Sequence, residues 1–148
     1  MFCIITLSLS CSQTDDGDTT PPGKLSVIST TPTNGGGIIA YELPDDLDIL
    51  YVTAEYTNSN GEKISRVSSK YNTDIEVSGL NQTTPITILL YVVDESYNRS
   101  IPMEVEFIPL PSFIYLVQES IEIVPDLGGV KISWDNIESK TGTISMLS

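Results

Sequence analysis

The run Ile49-Leu50-Tyr51-Val52-Thr53-Ala54-Glu55-Tyr56-Thr57, followed by Asn58-Ser59-Asn60-Gly61 and by Lys63-Ile64-Ser65-Arg66-Val67-Ser68-Ser69, is the stretch that decides the fold. β-branched and aromatic residues fill its first half, with apolar positions recurring at the two-residue period of a strand. Asn60-Gly61 supplies two residues that tolerate positive φ, the signature of a tight hairpin. Outward from this hairpin the pattern repeats. Short alternating segments cover 25–30, 37–42, 49–57, 63–69, 74–78, 85–94 and 102–108, separated by Pro44-Asp45-Asp46, by 79–84 and by 95–100. No segment of helical period and useful length interrupts them. Seven strands in fewer than ninety residues predict an all-β chain, an antiparallel β-sandwich of two sheets.

Alternation also assigns faces. Glu55 belongs in solvent, so Tyr51 and Thr53 share its outward side, while Leu50, Val52, Ala54 and Tyr56 point inward. In 85–94 the inward set is Ile86, Ile88, Leu90 and Val92; Leu89, Tyr91 and Val93 point out. The two strands are neighbours in such a sandwich. Tyr51 and Tyr91 are therefore expected on one exposed sheet face, flanked by Glu104 and Glu106 of the last strand. Aromatic rings offer a flat surface to the C–H faces of a pyranose, and carboxylates accept hydrogen bonds from its hydroxyls. The same stripe also suits packing against a neighbouring domain or a partner protein, the commoner use of such patches.

Three segments carry a family resemblance: Ile49 through Tyr56, Val77-Ser78-Gly79-Leu80, and Tyr91-Val92-Val93-Asp94-Glu95-Ser96-Tyr97-Asn98-Arg99-Ser100. They resemble strands C, E and F, with the F–G turn, of the fibronectin type III (immunoglobulin-like) sandwich. More closely, they resemble a Bacteroidota surface lipoprotein family of unknown function, in which such a domain precedes a second similar domain and a discoidin-like C-terminal module. The resemblance implies a non-enzymatic module of a membrane-anchored lipoprotein associated with glycan binding and uptake. Its implied partners are a polysaccharide or an outer-membrane glycan-uptake complex. Two alternatives stay open: a structural spacer presenting a missing C-terminal binding domain, and an accessory module cut from a glycoside hydrolase.

At the N-terminus an apolar stretch (Phe2, Ile4, Ile5, Leu7, Leu9) runs into Ser10-Cys11 and then into the acidic Asp15-Asp16-Gly17-Asp18. An apolar leader ending in small residues and a Cys suits a lipoprotein signal peptidase, which leaves Cys11 as a diacylated N-terminus. Residues 1–10 are then the signal peptide, and residues 11–23 the lipidated Cys and a flexible tether rich in Thr, Pro and Gly. The alternative is an ordinary buried strand. No basic residue precedes Lys24, so the start is expected to be clipped. The chain is expected on the outer membrane, lipid-anchored, at the cell surface or facing the periplasm. Asp18-Thr19-Thr20 resembles the acceptor of Bacteroidota protein O-glycosylation, which makes Thr19 a candidate attachment point.

Composition removes several chemistries. The net charge of −13, from 7 Lys+Arg against 20 Asp+Glu, opposes binding to nucleic acid, whose phosphates need cationic partners. There is no His, and the two Cys lie in the leader and at the lipidation point. Imidazole catalysis, thiol chemistry and zinc ligation are therefore excluded, and no cofactor is expected. Asp45, Asp46 and Asp48 share one turn, and Asp94, Ser96 and Asn98 recur every second residue like the start of a calcium loop. Neither continues with the Gly and Glu such a loop needs, so both are read as Asx turns without a metal.

An internal repeat divides the chain. Gly35-Gly36-Gly37-Ile38-Ile39-Ala40-Tyr41-Glu42 aligns with Gly128-Gly129-Val130-Lys131-Ile132-Ser133-Trp134-Asp135, at an offset of about ninety residues, the length of one sandwich. In the fold the chain resembles, the aromatic at Tyr41 and Trp134 packs in the core. Segments 113–124 and 129–135 would supply two strands, but 137–148 does not resemble the rest of a sandwich. The expected organisation is a fibronectin type III-like sandwich over 24–111 and the truncated start of a second over 112–148.

Overall fold

The computed structural model describes residues 18–135; the leader and Cys11 lie outside them. Seven strands build the sandwich: β1 (Ser26–Thr33), β2 (Gly36–Glu42), β3 (Ile49–Thr57), β4 (Lys63–Ser69), β5 (Asp74–Ser78), β6 (Ile86–Asp94) and β7 (Met103–Phe107). One sheet has the order β1-β2-β5, the other β4-β3-β6-β7, and all their pairings are antiparallel. This three-on-four arrangement is the two-sheet antiparallel sandwich that the alternation predicts, of the fibronectin type III-like kind that the resemblance implies.

The inner faces form one core. Ile39 and Tyr41 of β2, Val52, Ala54 and Tyr56 of β3, Val77 of β5, and Ile88, Leu90 and Val92 of β6 are buried, with Leu25 and Leu80 closing the ends. Each buried aliphatic side chain is worth about 1.5–3 kcal/mol, so a one-residue slip that exposed a whole set would be prohibitive. Two positions depart from simple alternation. Register shifts between Ile49 and Tyr51, so Leu50 occupies a bulge and is half-buried while Ile49 takes the core place. Val93 is buried as well, because the chain after β6 folds back and Arg99 bridges to it.

The sheets pack tightly where β2 has no side chain. A Cβ on Gly37 would stand 2.6 Å from the Phe107 ring, which fills that space from β7 on the other sheet. Gly36 faces the Val77 carbonyl with equally little room. Across the middle, the Tyr56 hydroxyl donates to the Ser78 carbonyl at 2.7 Å and accepts the Ser78 N–H at 3.2 Å, tying β3 to β5. Tyr41 is buried as expected, but its hydroxyl has no hydrogen-bond partner; burial pushes its phenol pKa up, against Ser68 beside it.

The two ends of the domain are tied down. The Leu110 N–H donates to Thr33 and its carbonyl accepts from Gly35, so the exit segment runs parallel to the end of β1. Residues 18–23, expected to be part of a flexible tether, instead lie along the loops: Pro22 is buried, the Gly23 N–H donates to Asp46 Oδ2, and the Asp18 carbonyl accepts from Asn98 Nδ2. Two Asx-type contacts that local sequence cannot report are what hold them.

Beyond the sandwich, the segment expected as a strand over 113–124 begins as helix α1 (Phe113–Glu119). Ser112 caps it, its Oγ accepting the Tyr115 N–H. Two turns are too short to display a helical period, which is why alternation misread them. Strands β8 (Glu122–Asp126) and β9 (Gly129–Ser133) follow as a hairpin. Asn34-Gly35 and Leu127-Gly128 are both two-residue turns whose Gly has positive φ. Trp134, however, is 43 % exposed and not a core residue.

Gly37→Ala is expected to destabilise the domain by about 1–3 kcal/mol in urea unfolding, since the methyl overpacks against Phe107. Phe107→Leu should recover part of that loss; strictly additive effects would show that ring and glycine do not meet. Tyr41→Phe removes an unpaired buried hydroxyl and should gain about 1 kcal/mol at neutral pH. A raised phenol pKa means that the domain keeps its neutral-pH stability below about pH 10, where the unfolded chain's tyrosines ionise, and loses stability through Tyr41 as pH climbs toward the folded value. The Phe variant should lose less stability over that range; superimposable alkaline unfolding profiles would refute the buried phenol.

Candidate functional site

Register decides which side chains share the outer face of the β4-β3-β6-β7 sheet. Tyr51 stands opposite Ser69 and Val93, Thr53 opposite Val67 and Tyr91, and Glu55 opposite Ser65 and Leu89. Leu89 pairs in turn with Glu104, and Thr87 with Glu106. Directly opposed residues of antiparallel strands point the same way. Tyr51, Tyr91, Glu104 and Glu106 therefore lie on one face, the tyrosines as half-buried diagonal neighbours and the carboxylates exposed at the β7 edge. Thr53 also points outward but is buried, its hydroxyl donating to the Arg66 carbonyl.

Arg99 completes this face and had no signal in the sequence. Its guanidinium carbon stands 3.9 Å from the centroid of the Tyr91 ring, and Nη2 donates to Glu55 Oε1 at 2.7 Å. The turn after β6 aims it there. Asp94 Oδ1 accepts the Asn98 N–H, Tyr97 adopts a φ of 63°, and Ser100 exchanges hydrogen bonds with Val92 through its N–H and Oγ. The stack takes one face of the Tyr91 ring, whereas no cation among the described residues stacks on Tyr51. Cation–π stacking and a half-exposed ion pair together are worth about 1–2 kcal/mol, so a ligand seated on Tyr91 must first displace Arg99.

Toward the β3–β4 turn the same face dips into a concavity of about 770 Å³. Leu89 and Glu104 line it from the face, Lys63 and Ser65 from β4, and Gln82 from the loop that precedes β6. Gln82 Oε1 is buried there without a partner.

The opposite end of the sandwich holds an acidic cluster. One carboxylate oxygen each from Asp18, Asp48 and Asp94 lies within 4.8 Å of the others. The two acidic sequences thus contribute one member each, joined by Asp18, a proximity that only the folded loops create. Asn98 supplies N–H donors to both Asp94 oxygens, and the Thr20 N–H, then its hydroxyl, hold the Asp18 carboxyl below its usual value. Among the described residues this is the set able to hold a cation, although part of its acceptor capacity is already used. Thr19 is exposed beside it.

Solved structures resemble the chain at low identity. A fibronectin type III domain of human fibronectin type III domain containing protein 3 shares 15 % identity over 66 % of this chain and 94 % of its own, with a TM-score of 0.49. The Clostridium perfringens spore cortex lytic enzyme SleM shares 15 % over 60 % of this chain, with a TM-score of 0.46; the match spans 28 % of SleM. The glycoside hydrolase domain of Endo-D from Streptococcus pneumoniae R6 shares 15 % over 62 % of this chain and 16 % of its own, with a TM-score of 0.42. No curated protein matches the chain. Residues 22–109, the stretch that holds β1 to β7, match the family described as Domain of unknown function (DUF4959), and the chain belongs to that family.

Proposed function

We propose that this sandwich is a non-catalytic glycan-binding module of a surface lipoprotein, held on the outer membrane by a diacylated Cys11. The observation that carries the reading is the outer sheet face, where Tyr51 and the Arg99–Tyr91 stack lie beside the carboxylates of Glu55, Glu104 and Glu106. Ring faces and a guanidinium plane accept the flat side of a sugar, while carboxylates and N–H groups take its hydroxyls. A chain without histidine, whose carboxylates stand on an open sheet, supports binding rather than catalysis.

The docked segment 18–23 also orients the module. Six residues lie between Cys11 and Asp18, and the seven chain steps reach at most about 25 Å. The end carrying Asp48, Asp94 and Asn98 then lies toward the lipid, and the concavity beside Gln82 faces away from it. Thr19 in the same strap is the proposed O-glycosylation point, which added hexose in the intact mass of membrane-extracted protein would reveal.

Affinity electrophoresis of the purified chain in gels cast with soluble polysaccharides tests the binding. Retardation by a polysaccharide is expected, with Tyr51→Ala weakening it more than Tyr91→Ala because Arg99 already occupies a face of the second ring. Mobility unaffected by every polysaccharide, or equal in wild type and both variants, would overturn the reading. Orientation is tested with the lipidated protein in liposomes containing brominated lipid. A fluorophore on a Cys replacing Ser96 should be quenched more than one replacing Asn60; the reverse order would invert the module.

A further inference from the structure

We propose, resting on the glycan-binding reading of the outer face, that the concavity beside Gln82 seats a single neutral or amino-bearing pyranose unit, oriented by the Gln82 amide. Its volume of about 770 Å³ lies within the range of small-molecule sites, about 300–1,000 Å³. Leu89 supplies an apolar patch for the C–H side of a ring, and hydroxyls of Ser65, Thr57 and Thr87 stand around it.

The buried end of the Gln82 amide is unpartnered. That end is closed to solvent as well, so a ligand reaches the amide at its other end. The other unpartnered buried side-chain atom among the described residues, the Tyr41 hydroxyl, is sealed in the core, whereas Gln82 lines a space open to solvent. A hydroxyl both donates and accepts, so it bonds the open end whichever way that group is turned. Charge narrows the class further. With Glu55 paired to Arg99, Glu104 in the concavity and Glu106 opposite the lining residue Thr87 outnumber Lys63, and the chain as a whole carries −13. A uronate is repelled; a neutral sugar is admitted, and an amino sugar gains attraction.

The test titrates the ¹⁵N-labelled full chain with glucose, glucosamine and glucuronate. Glucose and glucosamine are expected to shift the amide signals of Gln82, Thr87 and Leu89 saturably, with glucuronate about tenfold weaker or more. Gln82→Ala should weaken glucose about two- to tenfold while keeping the wild-type spectrum elsewhere. Shifts confined to Tyr51 and Tyr91, or glucuronate matching glucose, would overturn this seat and leave polysaccharide binding standing. Retention on polysaccharide without any monosaccharide shift would do the same. Seating of glucose without retention by any polysaccharide would uphold the concavity and sink the polymer reading.

Discussion

The contact of Gly37 with the Phe107 ring sets the distance between the two sheets at one point, and much else hangs from it. β2 lies at the centre of the three-stranded sheet, and β7 is the edge of the other. A side chain at 37 would push them apart where the core is otherwise filled by Ile39, Val105 and Ile88. Protein interiors do not absorb such a change, because they are packed as tightly as organic crystals. The same glycine run turns the chain at Gly35, whose carbonyl receives the Leu80 N–H and whose N–H binds Leu110. One short stretch thus fixes sheet spacing, the loop before β6 and the exit of the domain.

That loop connects the packing to the candidate site. Leu80 is fully buried, so the backbone entering the loop is pinned. Two residues later Gln82 is left against the open end of the β3–β4–β6 surface rather than free in solvent. The backbone that carries the amide is therefore held by a core contact, and a ligand meeting Gln82 costs little additional chain freedom in this loop. At the other end the turn after β6 works similarly: Asp94 and Ser100 hold its two ends, and Arg99 between them has a defined place above Tyr91.

The sandwich was legible because its information is local and periodic. β3, β4 and β5 start and stop where alternation and turn residues put them, and the inward set of β6 is buried at every position. The shared face of Tyr51 and Tyr91 followed from the same period. What escaped was set by contacts between distant segments. The Leu50 bulge shifts register without leaving a composition signal, since Leu suits either face. Arg99 reads as one more charged turn residue until the turn is folded. The docking of 18–23 depends on Asp46 and Asn98, neither of which is near it in sequence. Helix α1 failed for another reason: two turns carry too few residues for a period to emerge.

The charge distribution gives the outer face its sign. Arg99 is committed to Glu55 and Tyr91, and Lys70 lies near Glu95, so two of the seven cationic residues are already engaged. Glu104 and Glu106 have no cationic partner within ion-pair distance among the described residues. Salt weakens the reach of these charges to about 8 Å at physiological ionic strength, which is still comparable to the width of a sugar ring and its substituents. An anionic polymer would therefore meet repulsion at each repeat that approached the β7 edge. A neutral polymer would feel only the local chemistry of rings, amide and carboxylates. On the proposed reading the face would discriminate against negative charge first and by shape second, an order that a strongly acidic chain obtains from its composition before any specific contact forms.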